Sequence, residues 1–280
     1  MAAGSILNNI SAIAASRTLG ITQSGLDKTI GRLTTSMRIN KAQDDAAGLA
    51  ISNRLGADIR ISNQARRNAY DGIAYLSVAD GALDEVTNLL TRASELAEQA
   101  RTGTISASNR KALDLEFQVI KTAIQDVGNK AKFNGQSVFN DAHLFASVAD
   151  YTEVTITIGT MTGNMDAGLN NSGTAVSGSS AHNILTHTAA TVAIVALENA
   201  IQAVSMQRAS IGATQQYLTT IANTLGIQAE NFTSANSQIR DANIADEVIN
   251  LTKFQILTQS GISSLAQSNQ AAQSLLGLLR

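Results

Sequence analysis

From Leu197 to Ile239, mostly apolar and small residues return at alternating steps of four and three, and the spacing never slips. The run is Leu197, Ile201, Val204, Arg208, Ile211, Gln215, Leu218, Ala222, Leu225, Ala229, Phe232, Asn236 and Ile239. A seven-residue repeat gives a helix one continuous face, and at 1.5 Å per residue this one extends about 65 Å. So long a stripe cannot be buried by a compact core, so it demands mates of comparable length. The chain of 280 residues contains no Pro, where usual usage of about 5% predicts roughly fourteen. Pro breaks the helical hydrogen-bond ladder, so its absence fits long uninterrupted helices.

A mate is found in 43–145. Ala79, Leu83, Val86, Leu90, Ala93, Ala97 and Ala100 form a second heptad face. Asp44 and Asp45 are expected as N-cap and first-turn acids of the helix opening DDAAGLAISNRL. The segment 100–108, ARTGTISAS, predicts a break, with Gly103 at the C′ position and Ser106 or Ser108 as the next N-cap. A further helix is expected to about Val127, then a turn at Asn134-Gly135.

The two ends are charge-poor. Ile244, Val248, Leu251, Gln255, Thr258, Ile262, Leu265, Asn269, Ala272, Leu276 and Leu279 alternate at 4,3, and no charge falls between Lys253 and Arg280. Ile6, Ile10 and Ile13 share a face; after a slip, Leu19, Gln23, Leu26, Ile30, Leu33 and Met37 repeat likewise. The first charged residue is Arg17. An ordinary surface helix keeps a charged outer face. These two read as partners of each other and of further copies of the chain. Between Ile239 and Ile244 the repeat jumps by five, marking a boundary between bundles or a flexible connection. Polar residues at core positions, Gln255, Thr258 and Asn269, and likewise Arg208 and Gln215, either specify alignment or mark an imperfect register.

In the middle, Val154, Ile156 and Ile158 alternate with Thr155 and Thr157 as a short strand. Gly163, Gly168, Gly173 and Gly178 follow among Ser, Thr and Asn, which is loop composition. The expected fold is mainly α: a long antiparallel helical bundle or coiled coil made by the N- and C-terminal segments, with a small β-hairpin region between them. Its expected divisions are 1–42, 43–145, 146–189, 190–239 and 240–280.

Little here suggests chemistry. Without Cys there is neither a disulfide framework nor a thiolate metal site. His143, His182 and His187 lack carboxylates at ligand spacing, so no metal site is expected. Asp44 and Asp45, adjacent on a helix, diverge by about 100° and suit capping better than acid–base work. No nucleophile elbow, zinc-protease or phosphate-loop motif occurs, and no cofactor is expected. A net charge of −2 gives no nucleic-acid footprint. No apolar run reaches transmembrane length, so no membrane insertion is expected. The start lacks the positive n-region of a Sec signal, so any export takes another route.

Specific segments carry a family likeness. SMRINKAQDDAAGLAISNRL (36–55), RNAYDGIAYLSVADGALDE (67–85), FNGQSVF (133–139), QRASIGATQ (207–215), NFTSANSQIRDANIADEV (231–248) and ILTQSGISSLAQSNQAAQSLLGLLR (256–280) resemble bacterial flagellin. The likeness covers roughly 1–140 and 190–280, leaving a short middle.

The resemblance implies a structural, non-enzymatic subunit that polymerises into the flagellar filament for swimming. The same resemblance implies a secreted, extracellular protein passed through the flagellar type III apparatus. Segments 1–42 and 240–280 become the inner filament-core helices, and 43–145 with 190–239 the surrounding bundle. Leu251, Ile262, Leu265, Leu276 and Leu279 are expected to carry the inner contacts, with Ile10, Ile13, Leu26, Ile30 and Leu33 as partners. Other implied partners are an export chaperone, a filament cap and hook-associated proteins. LLTRASELAEQA (89–100) resembles the segment that an innate immune receptor reads in some flagellins, through Arg92, Leu96 and Glu116 here; Thr91 and Ser94 depart from that pattern. A competing reading is a hook–filament junction protein, which forms a limited ring. Another is a flagellin-like scaffold with a catalytic insert, for which the middle is too short to hold its own core.

Overall fold

The computed structural model describes residues 9–139, 142–148, 152–157 and 183–278. The described residues form five helices: α1 Ile10–Thr35, α2 Ala46–Arg101, α3 Ala107–Lys130, α4 His187–Arg240 and α5 Ile244–Leu278. Two antiparallel hairpins lie between α3 and α4: β1 Lys132–Phe133 with β2 Gln136–Ser137, and β3 Ala142–Val148 with β4 Thr152–Thr157. Contacts divide the chain into two compact units, Met1–Ile59 with Glu230–Arg280, and Arg60–Ala229.

Long stripes of small and aliphatic residues hold the second unit together. Ala79, Leu83, Val86, Leu90, Ala93, Ala97 and Ala100 of α2 are all buried, as the repeat predicts. So are Leu197, Val204, Ile211, Leu218, Ala222 and Leu225 of α4, with Phe117 and Ile120 supplied by α3. Ile201 is only partly buried; Ala200 takes the fuller burial one position earlier. Arg208, on the same stripe, reaches α2: its Nε donates to Asp80 Oδ1 at 2.8 Å and its Nη1 to Asp84 Oδ1 at 2.7 Å. Gln215 donates to Ser77 Oγ at 3.3 Å. The polar residues on the stripe therefore fix the register of α4 on α2.

α4 is long and apolar enough, by length and composition, to cross a membrane. Its hydropathy includes the Ala190, Ala193, Leu197 and Val204 side chains that form the bundle core.

The ends of α2 and α3 are closed by side chains. Arg110 donates to the Ala100 and Thr102 carbonyls at 2.8 and 3.1 Å, and His187 Nδ1 lies 2.7 Å from the Arg101 carbonyl. These cationic and imidazole donors satisfy carbonyls that a left-handed glycine motif would otherwise take up. Gly103 accordingly departs from expectation: it follows the helix end, yet the positive-φ glycine among the described residues is Gly135. Ser106 caps α3 as predicted, accepting from the Asn109 amide. Thr186 caps α4, accepting from the Ala189 amide at 3.2 Å, and Asp114 anchors the approach by accepting from the Ile184 amide at 2.9 Å.

Asn134 (φ 49°) and Gly135 (φ 82°) both adopt the left-handed region, as a two-residue primed turn requires. That hairpin seats Val138 and Phe139 in the core, where the Tyr75 hydroxyl donates to the Val138 carbonyl at 3.0 Å. Phe133 packs edge-on against the Tyr75 ring at 5.8 Å. β4 realises the strand expected from Val154 and Ile156, whereas Ile158 lies outside the described residues. Its partner β3 crosses the expected division at 145 and lies beyond the helix expected to end near Val127. Ala142–Val148 has no β-branched run to announce a strand, and its pairing with β4 carries an irregularity between Phe145 and Ser147.

Candidate assembly surface

The first unit is built around α1 and α5. Heptad partners meet in antiparallel order: Arg32 with Glu247, Gly25 with Phe254, Leu19 with Gly261, and Asn9 with Ser268. On α5 these contacts fall every seven residues. Small residues permit the close approach. A Cβ on Gly25 would lie 2.6 Å from Phe254 Cε1, and one on Gly261 would lie 3.2 Å from Leu19 Cδ1.

The seam differs in phase from the sequence stripe. On α5 the residues turned toward α1 are Glu247, Leu251, Phe254, Thr258, Gly261, Leu265 and Ser268; on α1 they are Ala12, Ala15, Leu19, Thr22, Leu26, Thr29 and Leu33. Thr22 and Thr29 are the buried residues of α1, an unexpected choice. Each hydroxyl donates to a carbonyl four residues back, Thr18 and Gly25, so it is satisfied inside its own helix and offers its methyl to the seam.

Of the expected contact residues, Leu26, Leu33, Leu251 and Leu265 line this seam half-buried. Ile10, Ile13, Ile30 and Ile262 face outward at 72, 64, 46 and 50% exposure. They are joined by Ile21, Ile249, Ile256 and Leu257, which lie off the 4,3 stripes. Leu276 lies in α5, and Leu279 falls outside the described residues.

One ion pair crosses the seam. Arg32 Nη1 donates to Glu247 Oε1 at 3.1 Å, and Glu247 is 7% exposed. Where the repeat jumps by five, the chain is tied rather than loose. The Arg38 amide donates to the Arg240 carbonyl at 2.7 Å, the Ala242 amide to the Ser36 carbonyl at 3.0 Å, and Met37 bridges Asp241. Ser36 takes the left-handed φ of 57° that ends α1. Asn243 then opens α5, accepting from the Ala245 amide, with Asp246 and Glu247 in the first turn.

The two adjacent aspartates separate into different roles. Asp45 accepts from the Gly48 amide at 2.8 Å and is the N-cap of α2. Asp44 is a turn residue, not a first-turn acid. It accepts from the Lys41 and Asn40 amides, and those bonds, Lys41 foremost, hold its carboxyl below the usual aspartate range, aided by Arg32 and Lys28.

In the second unit Arg92 bonds Glu116 through Nε and Nη2 at 3.0 and 2.9 Å, and Glu95 through Nη1 at 3.0 Å. Glu116 above all keeps the guanidinium more basic than usual. Leu96 is buried, so it supports this surface from beneath. His187 is engaged with Arg101, the His143 side chain and His182 lie outside what is described, and no cluster of three metal-ligating residues occurs among the described residues.

Paired end helices that leave rows of isoleucine in water define a class: self-associating structural proteins built from long helices. The chain matches the bacterial flagellin N-terminal helical region over residues 6–143 and the C-terminal helical region over 194–279. It is 38% identical to a flagellar filament 33 kDa core protein of Treponema phagedenis, across 98% of this chain and 99% of that one. It is 36% identical to the flagellin FlaB2 of Treponema pallidum and to a flagellin of Halalkalibacterium halodurans, with the same coverage. A putative flagellar hook-associated protein of Vibrio parahaemolyticus shares the fold, with a TM-score of 0.57 over 71% of this chain and 100% of that one at 13% identity. The chain belongs to the bacterial flagellin family.

Proposed function

We propose that this chain polymerises into the flagellar filament through the faces that α1 and α5 leave open, as an extracellular structural subunit. The observation that carries this is the exposure of Ile10, Ile13, Ile21 and Ile30 beside Ile249, Ile256, Leu257 and Ile262, in a pair of helices whose α5 member carries no charge after Lys253. Burying apolar surface yields about 25 cal/mol per Å², and a neighbouring copy offers matching surface. Contacts between unlike patches are heterologous, and where the rotation between copies does not close they propagate as a filament instead of a ring. In this reading 1–42 and 240–280 form the inner layer, 43–145 and 190–239 the layer around it, and 146–189 a short outer segment. Ile10, Ile13, Leu26, Ile30, Leu33, Leu251, Ile262, Leu265, Leu276 and Leu279 carry the inner contacts.

The chain reaches the outside by the flagellar type III route, with an export chaperone, a filament cap and hook-associated proteins as partners. The charged surface of Arg92 and Glu116, over buried Leu96, is the face offered to an innate immune receptor; Arg92→Ala should abolish signalling in a receptor-reporter assay, and a silent unsubstituted chain would refute this.

Assembly is tested by adding seeds or precipitant to the full chain and to a 1–243 truncation, then pelleting and imaging. Long uniform filaments from the full chain and none from the truncation are expected. A persistent monomer, or a ring of limited size as a junction protein forms, would overturn the proposal.

A further inference from the structure

The second unit leaves a second apolar surface bare. On α4 the exposed side chains Val195, Met206 and Tyr217, at 53, 68 and 51%, follow at intervals of eleven residues. Eleven steps of about 100° return to within about 20° of the starting direction, so the three align on the side opposite Leu197, Val204 and Ile211. Ala209 and Ala213 lie exposed between Met206 and Tyr217 and make a shallow apolar saddle. From His187 to Ala229 the charged residues of α4 are Glu198 and Arg208, and Arg208 is held by Asp80 and Asp84. Glu198 is exposed and has no ion-pair partner among the described residues.

On α3 the reverse shape occurs. Leu115 and Val119, 70 and 67% exposed, project one turn apart on the side away from Phe117 and Ile120. One turn before them stands Lys111, exposed and likewise without an ion-pair partner among the described residues.

Resting on the reading that the chain polymerises, we propose that Leu115 and Val119 of one copy seat on the Met206–Ala209–Ala213 saddle of a neighbouring copy, with Lys111 meeting Glu198. Laid parallel with Val119 over Ala209, α3 brings Leu115 beside Met206 and Lys111 to about one turn from Glu198, a gap its four-carbon stem bridges. A second copy is the occupant because knob and saddle, ammonium and carboxylate, are complementary patches on different helices of the same chain. Such a contact is heterologous, and within a filament it repeats from copy to copy.

The chain has no Cys, so introduced thiols are the only ones present. Val119→Cys and Ala209→Cys subunits, copolymerised and oxidised, should give mixed disulfide dimers in pelleted filaments, and neither variant alone should. A disulfide needs Cα atoms within about 7 Å. Filaments without mixed dimers, dimers from either single variant, or an Ala209→Cys thiol shielded from reagent in the monomer would each overturn the contact while leaving polymerisation standing. Failure of the unsubstituted chain to polymerise would remove both. As a second measurement, Lys111→Glu should slow seeded elongation about threefold, the size of one surface ion pair. Adding Glu198→Lys to the same chain should restore the rate, and no restoration would count against the pairing.

Discussion

Arg208 occupies a position that the repeat reserves for an apolar side chain, and its fork binds two aspartates one turn apart on α2. Lysine keeps the charge but cannot form both bonds in that plane. Arg208→Lys should lower stability by about 0.5–1 kcal/mol, given the partial exposure of all three groups. A lower urea midpoint at unchanged slope is the expected result. Asp44 makes a pH prediction. Its carboxyl is depressed in the fold relative to the unfolded chain, so its contribution is complete above the unfolded value of about 4 and is lost as pH falls through the lower folded value. Asp44→Asn should therefore show a shallower loss of melting temperature on acidification below about pH 4 than the unsubstituted chain. At this scale the sequence revealed that a cap lies within Asp44–Asp45 and another at Ser106 or Ser108, which Asp45 and Ser106 supply, because side-chain oxygens beside a helix start have few other uses. It concealed Thr22 and Thr29. A hydroxyl counts as polar in any pattern, and only the helix geometry shows that it is already bonded to its own backbone.

Among the elements, α2 and α4 were the most legible. Their stripes have one set of neighbours within the chain, so buried positions largely follow the repeat, with Ile201, Arg208 and Gln215 among the departures on α4. α5 was less so. It presents apolar residues on more than one face, and the 4,3 pattern does not say which face meets α1 and which stays open. Leu251 and Leu265 belong to the internal seam, whereas Ile244, Val248 and Ile262 remain exposed. β3 was missed for want of a periodic signal. The seam itself is testable at Gly25, where any side chain would press on the Phe254 ring. Gly25→Val should separate α1 from α5 and abolish seeded polymerisation. A cross-seam pairing of Arg32 with Glu247 that survives in the variant, with filaments forming at the usual rate, would contradict this account of the close approach.

For the whole molecule, the buried core side chains described within residues 60–229 come from α2, α3, α4, Val138 and Phe139 after the β1–β2 hairpin, and Ile184. The 1–243 truncation should therefore keep a cooperative thermal transition within a few degrees of the full chain. Circular dichroism would show the loss of helix content alone; loss of the transition itself would mean that the two units are thermodynamically one.

The bond from the Asn9 amide group to the Ser268 carbonyl joins positions 259 residues apart, and the Arg32–Glu247 pair spans 215. At about 5–20 residues per second, roughly 12–50 s separate the emergence of α1 from that of α5 on a ribosome. For that interval α1 has no mate from its own chain, and its isoleucines are available to anything nearby. Closure of the seam thus has an earliest moment: it cannot precede the making of the residues from 244 onward, and every interrupted chain carries an α1 that nothing of its own can cover.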